Sequence, residues 1–331
     1  VLELHFRAMG CQVLVLLDTE GDDAADALQA LPFQFDAWEA VLSRFRQDSE
    51  LSRLNRDPRD HFTVSPVLWE VLSLSLHAAE QSSSLVTPTV LATLEALGYD
   101  APYDIVQRRR DPVTAPRSSI LTAVPVPDWR SIRLDPETRT VHRPPGMRLD
   151  LGGVAKGWAA QRAADLLARY GPVLVDVGGD IVVSGPRRDG TPWLIGVADP
   201  LHPDRDVAIV TLAAGAIATS GRDYRRWQRA GQQFHHLIDP RTGRPAVTDV
   251  LTATAIAPTG WEAEIAAKVV LLLGRQAGLQ WIEEHAEYAA LAVIDSANPC
   301  LAVSRRARQL LADEPSLLEC CDSTSSGGIE N

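Results

Sequence analysis

Cysteine is scarce. The four in 331 residues, Cys11, Cys300, Cys320 and Cys321, stand at no CxxC spacing and build no framework of paired half-cystines, so they leave the redox compartment undetermined. Long apolar runs are missing too: none approaches the roughly 20 residues a membrane-crossing helix needs, and no charged-then-apolar leader opens the chain. Basic residues fall short of acidic ones, 32 against 43, giving a formal net charge of -11. That deficit excludes a general nucleic-acid binder, because affinity for a phosphate backbone needs a basic face. It leaves room for a small anionic ligand in a locally positive site. No internal repeat is present. The compartment stays open: the cytoplasm is slightly favoured, and export after removal of a leader is compatible with a chain that begins at Val1.

What is there is enough for a large core. With 45% hydrophobic and 23% charged residues, the length suggests two lobes more readily than one. Residues 1–17 read as a strand, 21–45 as a helical region interrupted near Pro32, and 66–81 as a helix after the Ser65-Pro66 break. Residues 101–128 are rich in proline and basic residues without a sustained period, which reads as a surface excursion and the best internal boundary. Beyond it SIRLD and TVHR suggest a hairpin, and a helix over about 156–170 places Ala155, Ala159, Ala163, Leu166, Leu167 and Tyr170 on one inward face. The short runs VLVDV, DIVVSG, WLIGVAD, VAIVTL and AIATS read as strands between Gly, Asp and Pro turns. VLTATAIA leads into a helix from about Trp261, a further helix spans about 275–286, and YAALAVID closes the core. Strands joined by tight turns favour an α+β fold of mostly antiparallel sheets with packed helices. The expected division is an N-terminal lobe 1–100, the excursion 101–128, a C-terminal lobe 129–312 and a polar, disordered tail 313–331.

Four stretches carry chemistry. In DLGGVAKGW (150–158) Gly152 and Gly153 precede a helix start, where free N–H groups and the positive end of the dipole face an arriving ligand. Lys156 can add a point charge for a phosphate. Asp150 can accept from a ribose, a ring N–H or metal-bound water. LVDVGGDIVVSG (174–185) supplies a second double glycine between Asp176 and Asp180, on its own a hairpin turn. ATSGRDYRRW (218–227) follows, and then HHLIDPRTGRP (235–245), where a histidine can move a proton near neutral pH or simply brace a turn.

Together with FRAMG (6–10), SRFRQDSELSRLN (43–55), TPTVLATLEALGY (87–99) and TATAIAPTGWEAEIAAKVVLLLG (252–274), these blocks in this order resemble the ApbE family of FAD:protein FMN transferases, over about residues 4 to 295. The resemblance implies an ApbE-like, T-fold-related two-lobed architecture and an enzyme that cleaves FAD and passes FMN to a Thr or Ser of an acceptor protein. Alternatives that keep the same pocket are a non-catalytic FAD-binding protein and an FAD pyrophosphatase giving FMN and AMP. By the resemblance Met9, Phe45, Leu85, Val86, Thr87, Asp150, Lys156 and Leu237 fall at FAD-contacting positions, and His236 at that of the base that deprotonates the acceptor. The glycines of the opening turn would let the dinucleotide's phosphates rest on bare backbone.

Four positions depart from the family. Its Mg²⁺ is held by a backbone carbonyl, here Gly153, and by an Asp and a Thr four apart on a helix, where this chain has Glu264 and Lys268. A protonated lysine cannot ligate Mg²⁺, so the expectation is an altered or lost metal site in which Lys268, paired with Glu264, takes over part of the ion's charge. Thr87 replaces a common aspartate, and Phe45 keeps the ring of a common tyrosine without its hydroxyl.

Overall fold

The computed structural model describes residues 1–21, 23–109, 124–229, 231–317 and 319–320. The chain opens with β1 (Leu2–Ala8) and β2 (Cys11–Leu17). The single strand expected over 1–17 is therefore a hairpin, folded at Met9 and Gly10, whose positive φ values of 51° and 70° suit a two-residue turn. Helices α1 (Ala24–Gln29) and α2 (Leu31–Leu42) meet at the break before Pro32, which sits in the first turn of α2 where its missing N–H costs nothing. Then come α3 (Glu50–Arg56), β3 (His61–Thr63), α4 (Pro66–Gln81), α5 (Leu91–Ala96) and α6 (Tyr103–Arg108). Ser65 caps α4 by accepting from the Leu68 N–H, with Pro66 at the first position.

The second half holds β4 (Arg133–Asp135), β5 (Thr140–His142), α7 (Ala155–Leu167), β6 (Val173–Val177), β7 (Asp180–Val183), β8 (Trp193–Ala198), β9 (Asp206–Leu212) and β10 (Gly215–Gly221). It continues through β11 (Arg226–Arg229), β12 (Gln232–His235), β13 (Ile238–Asp239), β14 (Arg244–Pro245), β15 (Val250–Ala257), α8 (Gly260–Leu273), α9 (Arg275–Glu283), β16 (Ala289–Ile294), β17 (Cys300–Val303) and α10 (Arg305–Leu310).

One eight-stranded sheet, in the order β1-β2-β6-β7-β10-β15-β16-β17, organises the molecule, and every neighbouring pair in it is antiparallel. The N-terminal hairpin joins this sheet through β2 and β6, so the sheet draws on both sides of residue 100. Side-chain alternation separates two cores. Val13, Val15, Val175, Ala218, Ala253, Ala255 and Ala292 face the helical layer, whereas Leu174, Val183, Ile217, Ile256, Leu291 and Val293 face the β8–β9 hairpin.

The alanines under the helices let α8 lie close on the sheet. Its own small residues, Ala263, Ala266 and Ala267, are fully buried, and α7 and α8 touch backbone to backbone: a Cβ on Gly157 would collide with the Gly260 carbonyl. Because α7 is covered on two sides, Trp158, Ala160 and Ala164 are buried along with Ala155, Ala159, Ala163 and Leu167. Leu166, expected inside, is 46% exposed, and Tyr170 lies in a 3₁₀ turn past the helix.

Two expectations near the ends of elements change. The excursion begins with α6, whose Val106 is buried with Tyr99, Trp227 and Phe234, while residues 110–123 lie outside the described residues. Cys300 and Cys320 form a disulfide, and Glu319 bridges to Leu301, so the described part of the segment 313–320 is tied to the edge of the main sheet. Residues 321–331 lie outside the described residues.

Candidate active site

Four chain segments are drawn to one place by hydrogen bonds between them. Asn55 of α3 donates to the Leu149 carbonyl at 2.8 Å and accepts the Leu149 N–H at 2.7 Å, which fixes the approach to Asp150. The Asp150 N–H donates to the Pro88 carbonyl at 2.8 Å, joining this turn to the 85–90 segment. Ser83 and Ser84, both at positive φ, end α4, and Ser82 Oγ accepts the Val86 N–H at 2.9 Å to hold that segment in a tight return. The Trp227 indole donates to the Leu97 carbonyl at 2.8 Å and brings the β11–β12 hairpin against α5.

The result is an open cleft. Phe45, Leu85, Val86, Val90, Leu94, Leu237 and Leu272 give it apolar walls, and Thr87, Asp150, Gly152, Gly153, Arg225, His236 and Lys268 give it polar ones. The sequence singles out nine of these as functional: Phe45, Leu85, Val86, Thr87, Asp150, Gly153, His236, Leu237 and Lys268. It missed three. Arg44 sits next to the expected Phe45, Tyr99 ends the quoted GY motif, and Arg225 lies inside ATSGRDYRRW; only the topology shows that these side chains meet.

Arg44 is held on several sides. Its Nε lies 2.6 Å from Asp150 Oδ2, its Nη1 donates to the Tyr99 carbonyl at 2.9 Å, and its guanidinium carbon lies 4.0 Å and 4.6 Å from the Phe45 and Tyr99 ring centroids. Its Nη2 is buried with no hydrogen-bond partner among the described residues. Asp150 in turn accepts the Gly152 N–H at 2.8 Å, so one of the two glycine amides expected to be free is already engaged.

Beneath the cleft lies a four-charge chain. Lys156 Nζ bonds Asp180 and lies 3.7 Å from Glu264 Oε1. Lys268 Nζ is 3.0 Å from the same Glu264 oxygen, and Glu264 Oε2 accepts the Gly157 N–H at 2.9 Å. Both acids are almost wholly buried, which ion pairing makes tolerable. Burial lowers the pKa of Lys156, opposed by Glu264. Burial alone would raise that of Glu264, and the charges of Lys268 and Lys156 bring it down overall. Lys156 therefore does not line the cleft; its ammonium is taken up by the two acids. Met9 also lies away from the walls, in the β1–β2 turn, half-buried against the main core.

Mg²⁺ has little to bind here. Among the described residues no group of three or more His, Cys, Asp or Glu side chains can hold a metal ion. Glu264 has both oxygens occupied, and the Lys268 ammonium stands in that corner. The Gly153 carbonyl and Glu264 do not by themselves make an octahedral oxygen site, so the residues present do not fit the ion.

His236 faces the cleft with its Nδ1 buried and without a hydrogen-bond partner among the described residues, edge-on to Tyr99 at 6.5 Å between centroids. Burial first, and then the charge of Arg225, hold its pKa well below the ordinary histidine value, so it is a neutral base at pH 7. His235 points elsewhere: its Nε2 lies 3.1 Å from the Ala246 carbonyl.

Fold and cleft together define an α+β protein with an open, ring-lined cleft built around a neutral histidine and fixed cations. The ApbE family model matches residues 9–292, and the chain belongs to that family. An FAD:protein FMN transferase of Vibrio cholerae is 32% identical over 246 residues, covering 72% of this chain and 70% of the relative. One of Klebsiella pneumoniae is 30% identical over 272 residues, covering 78% and 75%. The crystal structure of the ApbE protein from Thermotoga maritima superposes with a TM-score of 0.81 at 24% identity, covering 94% of this chain and 99% of that one. The flavin transferase ApbE from Vibrio cholerae does so with a TM-score of 0.76 at 23% identity, over the same shares. These two likenesses establish the shared fold.

Proposed function

We propose that this chain is an FAD:protein FMN transferase, which binds FAD, breaks its pyrophosphate and passes FMN to a Thr or Ser hydroxyl of an acceptor protein. The observation that carries the reading is convergence: His236, Lys268, Asp150, the Gly152–Gly153 turn and the Leu85–Thr87 segment, separate in sequence, all line one cleft. The curated relatives' names supply the reaction.

In this reading the flavin and adenine rings lie on the apolar walls and Phe45, and the pyrophosphate meets the polar ones. The acceptor oxygen attacks the FMN phosphorus. A phosphoester bond forms as the P–O bond to AMP breaks, AMP leaves with the bridging oxygen, and His236 takes the hydroxyl proton. Charge grows on the bridging oxygen, where fixed positive groups stabilise it most. We infer that Lys268 supplies part of the charge a divalent ion gives in other members, held in place by Glu264 rather than by an oxygen cage. An ammonium is a single point charge and cannot gather several oxygens, so the chemistry runs with less electrostatic help.

The engagement of Glu264 by two groups supports a second reading, a flavin carrier without catalysis. Incubation with FAD, followed by separation of FAD, FMN and AMP, with and without an acceptor carrying a Thr or Ser target, tests both. AMP release together with a fluorescent acceptor band is the expected result. FMN and AMP without a labelled acceptor identifies a pyrophosphatase, and bound but intact FAD identifies the carrier.

A further inference from the structure

Arg225 stands apart from the other cations of the cleft. Arg44 is answered by Asp150, and Lys268 together with Lys156 by Glu264 and Asp180. Arg225 lines the same cleft, half-buried, with no hydrogen bond or ion pair from its side chain among the described residues. Its positive charge is thus the one left over when the paired groups are set against each other.

Its backbone is unusual as well. Arg225 has φ of 49°, a left-handed conformation that a long side chain seldom adopts. The segment is pinned on both sides: the Arg222 N–H donates to the Leu251 carbonyl at 3.0 Å, and the Trp227 indole holds Leu97. Between these anchors the left-handed residue turns its side chain into the cleft, and strain of this kind persists where surrounding structure enforces it. Its charge is felt across the site: it adds to burial in holding down the pKa of His236 and of Lys156, and it partly offsets the burial that raises those of Tyr99 and Cys11.

We propose that Arg225 is the phosphate clamp of the site, its free guanidinium fork binding two non-bridging oxygens of the FAD pyrophosphate and following that charge as AMP departs. The inference rests on the flavin-transferase reading of the cleft and names a residue for the part of that reaction which Lys268 alone serves poorly. A guanidinium matches two phosphate oxygens at once, and with no protein carboxylate to release it gives its full charge to the ligand.

The test is calorimetric titration of the full chain with FAD, ADP and riboflavin, using Arg225→Gly and Arg225→Lys. Glycine tolerates the left-handed backbone, so Arg225→Gly removes the cation without adding strain. The expected result is a loss of about tenfold or more in affinity for FAD and ADP, no change for riboflavin, which has no phosphate, and partial recovery in Arg225→Lys. Added guanidinium ion restores FAD cleavage in Arg225→Gly. Unchanged FAD and ADP affinity in Arg225→Gly overturns the proposal, and so does an equal loss for riboflavin, which marks a role in shaping the cleft. Failure of the parent chain to bind FAD or ADP overturns the flavin reading itself, a different outcome from either.

Discussion

Lys268 Nζ lies 3.0 Å from Glu264 Oε1, one helical turn away on α8, with the acid N-terminal to the base. That order is the favourable one on a helix, but the burial of Glu264 to 1% exposure makes the pair far more than a surface ornament. Its carboxylate is also the acceptor of the Gly157 N–H, so it fastens α8 to the start of α7 at the point where the two backbones touch. Charge placement for the cleft and packing of the helical layer are therefore the same interaction.

Removing half of this pair leaves a buried charge short of a partner. Lys268→Met is expected to cost about 2–4 kcal/mol of stability, less than for a wholly isolated pair because Lys156 still faces Glu264. Adding Glu264→Gln should recover a good part of that loss. Chemical denaturation of the two single variants and the double variant measures the coupling, and strictly additive losses contradict it.

His236→Ala should abolish transfer to the acceptor while changing FAD affinity by only a fewfold, because the ring is proposed to move a proton rather than to anchor the ligand. His235→Gln should leave transfer near the parental rate, since His235 is committed to the Ala246 carbonyl. Acceptor fluorescence and a binding titration on each variant check the pair. Transfer that survives in His236→Ala removes it from the mechanism.

Stability should fall on mild acidification. The pKa of His235 is lowered from 6.5 to about 4, chiefly by burial. The folded state thus binds fewer protons than the unfolded chain in that window, and the stabilisation present above pH 6.5 is lost as pH falls towards 4. The size is at most about 3 kcal/mol for this group, and His236 acts in the same direction. Unfolding free energies measured between pH 7 and pH 4 should show a slope that His235→Gln reduces; an unchanged slope shows that other groups set it.

Gly157→Ala should be destabilising although alanine is the better helix former. A Cβ there meets the Gly260 carbonyl and the Trp261 amide, and separating α7 from α8 to make room costs about 1–3 kcal/mol. A thermal melt tests this, with Gly190→Ala as a poor control because its φ is positive and Gly185→Ala as the better one, having open space around it. A Gly157→Ala protein as stable as its parent contradicts the close helix crossing.

Much of the fold was legible because local pattern and tertiary role agree. VLVDV is β6, the Ser65-Pro66 signal starts α4, and the small-residue run after VLTATAIA is α8. The first hairpin was hidden because Met9 is an improbable residue for a left-handed turn position, so nothing in FRAMG announced a reversal. Leu166 was misplaced because the buried side chains in the last turns of α7 are Ala163, Ala164 and Leu167, so the covered face there lies about 100° round the helix from Leu166. The motifs named most of the cleft, whereas pairing was invisible. That Lys156 is spent on Asp180, that Asp150 holds Arg44, and that Arg225 has no partner among the described residues are facts about distance between segments, which spacing along the chain does not encode.

The direct test of the account is the rate of FAD cleavage in EDTA and in Mg²⁺, for the parent chain and for Glu264→Asp combined with Lys268→Thr. With an ammonium carrying part of the metal's charge, the parent should keep most of its cleavage rate in EDTA, and the double variant should become dependent on Mg²⁺. A parent enzyme silenced by EDTA and restored by Mg²⁺, with the double variant behaving no differently, would contradict it.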